Sequence, residues 1–281
     1  MSQKILIFGA KGWLAGKYSR FFENGSLTAT DITKPLEVAA VIDKEKPDIV
    51  INAAGKTGRP NIDWCEDHKN ETYRSNVTGA FMLAEVCFRK GIYMVHLSSG
   101  CIFNGESPLP GGWTEYDTPN PASYYGETKV IAEKKILDEE LPVLIIRIRM
   151  PVDGEPGIRN LITKITRYPK VIDVINSVTV VDDLLYATAK LAEQRATGVF
   201  NVTNPVPVRH REILEWYREI VDPGFSFEMI TLEQMYERGL AKAGRSNCVL
   251  NTDKLCGLGI KLPDAPEAVR KCLHEYKKLL G

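Results

Sequence analysis

The stretch "ILIFGAKGWLAG" (residues 5–16) joins a short apolar run to a glycine-rich turn, and then to residues that can open a helix. The order matters because the backbone N–H groups of such a turn, with the positive end of a helix dipole behind them, suit a pyrophosphate. The glycines alone are a weak signal: Gly9 and Gly12 are followed by Ala15, where a third glycine is expected, and by Gly16 one place later. A plain tight turn would explain them nearly as well. The strand before and the helix after decide for a dinucleotide loop, so Gly9, Gly12, Trp13 and Leu14 are candidate cofactor contacts.

Further runs of the same kind follow at "DIVINAAG" (48–55), "YMVHLSS" (93–99) and "PVLIIRIRM" (142–150), with enough chain between them for crossover helices. Such alternation predicts a parallel sheet covered on both faces. One long helix is expected from about Asp63 to Arg89, with Val77, Phe81, Leu83, Ala84 and Val86 turned inward. Beyond Met150 the pattern loosens. Residues 157–168 read as a helix, 170–185 as one or two strands entering a helix, 198–204 as a strand, and 210–221 and 267–280 as helices. The expected fold is α/β: a Rossmann-like doubly wound parallel sheet with a small, mainly helical C-terminal lobe. Residues 1–150 would form the dinucleotide-binding core, with 170–205 returning to it, and 151–169 with 206–281 the substrate-binding lobe.

The 281 residues are 44% hydrophobic and carry equal numbers of acidic and basic side chains, which allows a large core and argues against disorder. No block of Lys or Arg is longer than a pair, so the basic stripe that nucleic acid or an anionic membrane requires is missing. The partner expected is a small molecule. No charged leader precedes the first apolar run and no apolar stretch approaches the ~20 residues of a membrane span, which predicts a cytoplasmic protein. Six cysteines without a C-x-x-C pair suggest neither a metal site nor a disulfide framework.

Tyr125 and Lys129 fall four apart in "SYYGETKVIAEKKIL" (123–137), a segment with helical character, so both lie on one face. An ammonium beside a phenol favours phenolate and brings its proton affinity toward the working range. A tyrosine and a solvated lysine on an ordinary helix would also give this spacing, but here the pair comes after a dinucleotide loop and a strand ending in Ser99. The carboxyl edge of an open α/β sheet is where ligands bind, so the Ser99 hydroxyl could hold a carbonyl oxygen while Tyr125 handles the proton. Asn76 in "RSNVTG" could fix backbone or water near Lys129, or be satisfied within its own helix. An acidic residue ending the second strand would favour NAD(H). In "GSLTATD" (25–31) none is unambiguous, and Asp31 with Ile32 could flank the adenine or simply open the next helix. NADP(H) is therefore favoured, with NAD(H) as the alternative.

On "GAKGWLAG", "NAAG" (52–55), "YYGETK" (124–129) and "VDDLL" (181–185), in that order, the chain resembles the extended short-chain dehydrogenase/reductase family. The resemblance spans nearly the whole chain and implies cofactor contacts at Asn52, Ala53 and Ala54. More narrowly, residues 52–72, "GCIF" (100–103), "RIRMP" (147–151), 159–173 and "RSNCVLNTDKL" (245–255) are similar to the plant-type epimerase/reductases. Those make UDP-L-rhamnose from UDP-4-keto-6-deoxy-D-glucose; the bacterial dTDP-4-dehydrorhamnose reductases look more distant. The resemblance gives the roles of epimerising acid and base to Cys101 and Lys164. Alone, Cys101 would read as a small core residue and Lys164 as a solvated helix lysine. It also implies polar contacts to sugar and diphosphate from Arg59, Asn61, Asn160, Arg245 and Asn247.

The expected function is a bifunctional 3,5-epimerase/4-keto reductase fed by a separate 4,6-dehydratase. The alternatives are a reductase limited to an already epimerised sugar and a non-catalytic NADP-binding regulatory subunit of the same fold. The choice of UDP or dTDP is left open, as is the oligomeric state, with a homodimer among the options.

Overall fold

A computed structural model describes residues 3–281. Five short segments form strands where expected: β1 (Ile5–Phe8), β2 (Gly25–Thr28), β3 (Ile49–Asn52), β4 (Tyr93–Ser99) and β5 (Val143–Ile148). With the strand Gly198–Asn201 they make one parallel six-stranded sheet. From one edge its order is Gly198–Asn201, β5, β4, β3, β1, β2. The chain runs outward from β1 to β2, then reverses to lay β3 on the other side of β1. The reversal leaves a crevice at the carboxyl ends of β1 and β3, the switch point where open α/β sheets take ligands.

β1 and β3 are buried along their whole length, as strands covered on both faces must be. One face packs Ile5, Ile7, Ile51, Val95 and Leu144 against Tyr18 of helix α1 (Trp13–Phe21) and against Leu184 and Leu191 of helix Val181–Glu193. The other packs Leu6, Phe8, Val50 and Met94 against α2 (Pro35–Glu45) and the helices that follow β3.

Those helices depart from the expected continuous span 63–89. The chain folds as α3 (Asp63–Asp67), α4 (Lys69–Tyr73), a π-turn at Arg74–Gly79 and α5 (Ala80–Arg89). At His68 the backbone leaves helical geometry (φ −123°, ψ 49°), which ends α3 and restarts the chain as α4. The inward positions Val77, Leu83 and Ala84 are buried as expected. The helix α6 carrying Tyr125 runs Tyr124–Asp138, and the Ser123 hydroxyl caps it by accepting from the Gly126 N–H at 3.2 Å.

Residues 157–168 yield a much shorter helix than expected, α7 (Leu161–Ile165), because the Asn160 side chain caps it and the chain turns before Pro169. The segment 170–185 gives three short strands, Lys170–Ile172, Ile175–Asn176 and Thr179–Val180, rather than one or two. They pair with Glu228–Ile230, Val208–Arg209 and Pro151–Val152 respectively. The lobe is thus stitched by strand pairs as well as by helices His210–Ile220 and Ala265–Leu280, around a core that includes Ile162, Val178, Ile213, Val269 and Leu273.

Candidate active site

A cavity of about 1270 Å³ runs from the β1 turn, past the carboxyl ends of β4 and β5, to the lobe. At its floor the chain passes through Gly9 with φ +98°. A Cβ there would stand 2.8 Å from the Ala54 nitrogen and 2.9 Å from the Ala53 carbonyl, so only glycine lets the two loops meet. The next helix, α1, begins at Trp13 with no side-chain cap and no acidic residue in its first turn. Its N–H groups and dipole face the cavity uncompensated, which fits a pyrophosphate. Ala15, the departure from the glycine pattern, turns into the sheet core instead, and its methyl is fully buried there.

Gly9, Gly12, Trp13, Leu14, Asp31, Ile32, Ala53 and Ala54 all line the cavity. Asn52 does not: fully buried, its Nδ2 donates to His96 Nδ1 at 3.1 Å and its Oδ1 accepts from the Ala54 N–H, shaping the turn from beneath. One oxygen of Asp31 accepts from the backbone N–H and hydroxyl of Thr33, and these bonds lower its pKa. Lys34 and Arg74 lie in the field of that carboxylate.

Ser99, Tyr125 and Lys129 come together at the end of β4, each under 10% exposed. Gly126 makes this possible, since a Cβ at that position would lie 2.5 Å from the Cys101 carbonyl oxygen and hold α6 off the loop. The Ser99 oxygen accepts from the Cys101 N–H at 3.1 Å, which leaves its own O–H to donate. Lys129 Nζ donates to the Leu97 carbonyl at 3.0 Å. Burial pushes Lys129 down to about 8, against the opposing pull of Glu133 and Cys101. Burial also raises Tyr125, reinforced by Cys101 and opposed by the Ser99 hydrogen bond. Desolvation therefore outweighs the lysine's expected pull toward phenolate, and the phenol keeps its proton.

Cys101 and Lys164 line the same cavity, Cys101 from the turn after β4 and Lys164 from α7. Burial and the Arg159 charge lower the Lys164 pKa, while Cys101 raises it. Arg59, Asn61, Arg245 and Asn247 line the cavity too, but Asn76 and Asn160 are not among its walls. Asn76 instead bonds both backbone polar groups of Lys56 and donates to Thr128 Oγ1. Asn160 accepts from the Ile162 N–H and donates to the carbonyls of Asp153 and Glu155. Arg245 is committed to a bidentate pair with Asp63, at 2.8 and 2.9 Å.

Two arginines of the cavity wall carry no mark in the sequence pattern. Arg159 stands beside Arg59, whose charge it feels, and donates to Thr57 Oγ1 at 3.1 Å. Arg149 donates to Cys101 Sγ at 3.0 Å. Its position in "RIRMP" was visible, but nothing in strand periodicity tells which partner a buried arginine meets.

A doubly wound sheet whose switch point opens toward a Ser, Tyr and Lys set is the framework of an α/β oxidoreductase of the short-chain dehydrogenase/reductase type. The chain belongs to the family described as RmlD substrate binding domain, whose model matches residues 3–277. It is 40% identical to the bifunctional dTDP-4-dehydrorhamnose 3,5-epimerase/dTDP-4-dehydrorhamnose reductase of Arabidopsis thaliana, over 99% of this chain and 94% of that protein. A trifunctional UDP-glucose 4,6-dehydratase/UDP-4-keto-6-deoxy-D-glucose 3,5-epimerase/UDP-4-keto-L-rhamnose-reductase of the same plant is 39% identical, but this chain spans only 43% of it. Among solved structures, the L780 UDP-rhamnose synthase of Acanthamoeba polyphaga mimivirus superposes with a TM-score of 0.90 at 33% identity, covering 98% of this chain and 100% of that one. Among the described residues no helix is long and apolar enough to cross a membrane, and no metal-binding cluster occurs.

Proposed function

We propose that this protein is a nucleotide-sugar 3,5-epimerase/4-keto reductase that converts UDP-4-keto-6-deoxy-D-glucose to UDP-L-rhamnose with NADPH. The observation that carries it is the meeting of two chemistries in one cavity: Cys101 and Lys164 stand around the same space as Ser99, Tyr125 and Lys129. The plant bifunctional relative and the viral UDP-rhamnose synthase support the same assignment.

Residues 1–150, with 181–205 returning to the sheet, would hold the cofactor, and the lobe built from 151–180 and 206–281 the sugar nucleotide. The turn at Gly9–Gly12 and the start of α1 would take the pyrophosphate, with Ala53 and Ala54 against the adenosine side. Arg74, in the field of Asp31, favours a 2′-phosphate over a bare ribose. Arg59 and Arg159 supply the positive charge for the sugar diphosphate, with Asn61 and Asn247 beside it. When bound, NADPH supplies the hydride for C4.

A ketone at C4 makes the hydrogens at C3 and C5 acidic. One member of the Cys101 and Lys164 pair takes the proton from one face, the bonding electrons pass to the C4 oxygen as an enolate, and the other returns a proton to the opposite face. One such exchange at each carbon inverts both. For reduction, the Ser99 O–H holds the C4 oxygen, and Tyr125 gives that oxygen its proton as C4 is reduced. Its raised proton affinity suits this direction. The substrate requires a prior 4,6-dehydration, which we assign to a separate dehydratase.

The test is incubation with UDP-4-keto-6-deoxy-D-glucose and NADPH in deuterated water, with NMR of the product and a parallel arm using the dTDP sugar. UDP-L-rhamnose deuterated at C3 and C5 is expected, with Cys101→Ala abolishing the exchange. Reduction without deuterium or inversion would leave only a reductase. Faster turnover of the dTDP sugar would overturn the UDP assignment.

A further inference from the structure

Arg147 and Arg149 stand two residues apart at the end of β5, each 3% exposed, yet they are neutralised differently. Arg147 has a carboxylate, making three hydrogen bonds to Glu133. Arg149 also makes several bonds: Nη1 to Cys101 Sγ at 3.0 Å, Nε and Nη2 to Asn176 Oδ1 at 3.2 and 2.7 Å, and Nη2 to the Ser246 carbonyl. None of these partners is a carboxylate. A guanidinium stays charged at any ordinary pH, and a buried charge without a counter-charge is strongly unfavourable. The one ionisable group that Arg149 bonds is the thiol.

The clamp around Arg149 is itself fixed. Asn176 is fully buried; its Oδ1 also accepts from the Cys248 N–H at 3.0 Å, and its Nδ2 donates to Asn247 Oδ1 at 3.2 Å. The guanidinium therefore points at the sulfur without freedom to swing away. Cys101 is also faced by Lys129 and Tyr125 from α6, by Lys164 from α7 and by Cys248 from the lobe. Three cations thus surround one thiol, and the two acids beside it, Tyr125 and Cys248, both have raised pKa values, mainly through burial.

We infer that Arg149 is a positioning residue for epimerisation: clamped by Asn176 and Ser246, its guanidinium holds the Cys101 sulfur as a thiolate, the form that removes the proton from carbon. This rests on the epimerase function proposed above. In the step, S⁻ takes H⁺ from C3 or C5 to become S–H, the C–H electrons move to the C4 oxygen, and Arg149 gives up no proton.

Two pH profiles test it in the wild type, Arg149→Gln and Arg149→Lys: iodoacetamide labelling of Cys101, read by peptide mass spectrometry, and deuterium entry at C3 and C5 of the keto sugar. At pH 7, Arg149→Gln should label Cys101 several-fold more slowly, because its labelling profile moves to higher pH. The acid limb of deuterium exchange should move upward with it, and Arg149→Lys should keep both near the wild type. An unmoved profile in Arg149→Gln, or an equal displacement in Arg149→Lys, would overturn the inference. Should Arg149→Gln not fold, the wild type decides: half-maximal labelling well below the ordinary thiol value of about 8.5 upholds it, and at or above that value overturns it. Wild type that takes up no deuterium, with labelling still displaced in Arg149→Gln, would remove the epimerase function and uphold the Arg149–Cys101 coupling.

Discussion

Glu133→Gln removes one charge from beneath the reducing centre while keeping the side chain's shape. Glu133 and Arg147 are each 4% exposed at the side chain, with Nη2 to Oε2 at 2.7 Å and Nε at 3.1 and 3.2 Å from the two oxygens. Ser98 donates to the same carboxylate. The other polar contact of Arg147 is a long one, 3.5 Å to the Glu115 carbonyl, so the substitution strands a buried cation. Breaking such a pair costs about 3–5 kcal/mol, and an amide that still accepts one bond puts the expectation near the lower end, ~3 kcal/mol. For a chain of this size that is a fall in Tm of roughly 6–12 °C. Calorimetry of the variant against wild type measures it, with Glu133→Leu/Arg147→Met as the control, since removing both charges should restore most of the loss. A fall in Tm under roughly 2 °C for Glu133→Gln would refute the argument that this pair neutralises a buried charge. A second readout is independent of stability. Glu133 raises Lys129, so its loss should move the alkaline limb of the reduction rate to lower pH.

The remaining expectations concern the cavity and its pH behaviour. Lys129, pushed down to about 8 by burial, loses its proton as pH rises through that value, so reduction by the wild type should decline there in a stopped-flow pH series. Gly9→Ala forces a methyl to within 2.9 Å of the Ala53 carbonyl at a φ of +98° and should weaken NADPH binding at least tenfold, measured by fluorescence titration. Tyr125→Phe should slow reduction by about 10²–10⁴-fold while deuterium exchange at C3 and C5 continues; loss of both together would contradict the division of labour. His210 is held down to about 4 by burial, whereas the unfolded chain takes up that proton near 6.5. The unfolded state binds more protons between those values, so Tm should drop as pH falls from about 6.5 toward 4, and His210→Gln should flatten the slope.

Much of this was legible in the sequence because it rests on local pattern. The apolar runs at 5–8, 49–52, 93–99 and 143–148 became the central strands, and four-residue spacing put Tyr125 and Lys129 on one helical face. What failed depended on partners distant in sequence. Apolar periodicity through 63–89 is the same whether or not the helix breaks at His68, and the break is accompanied by Asn76 reaching Lys56 and Thr128. The same blindness assigned Asn160 to substrate: a buried asparagine and a ligand-binding one look identical until the acceptors around them are known. The ion pair of Arg245 had no nameable partner because Asp63 lies 182 residues away. The corrections left the expected catalytic set together in the cavity, with Arg149 added beside Cys101.

The clamp that joins Cys101 to residues 246–248 has an evolutionary corollary. The segment touching the thiol's arginine belongs to the same lobe that lines the outer cavity through Arg245 and Asn247. Drift in the lobe toward a different nucleotide would therefore be transmitted to the sulfur. Retuning of specificity should come bundled with altered epimerisation kinetics, so that lineages changing nucleotide would carry compensating changes around Asn176 and Ser246.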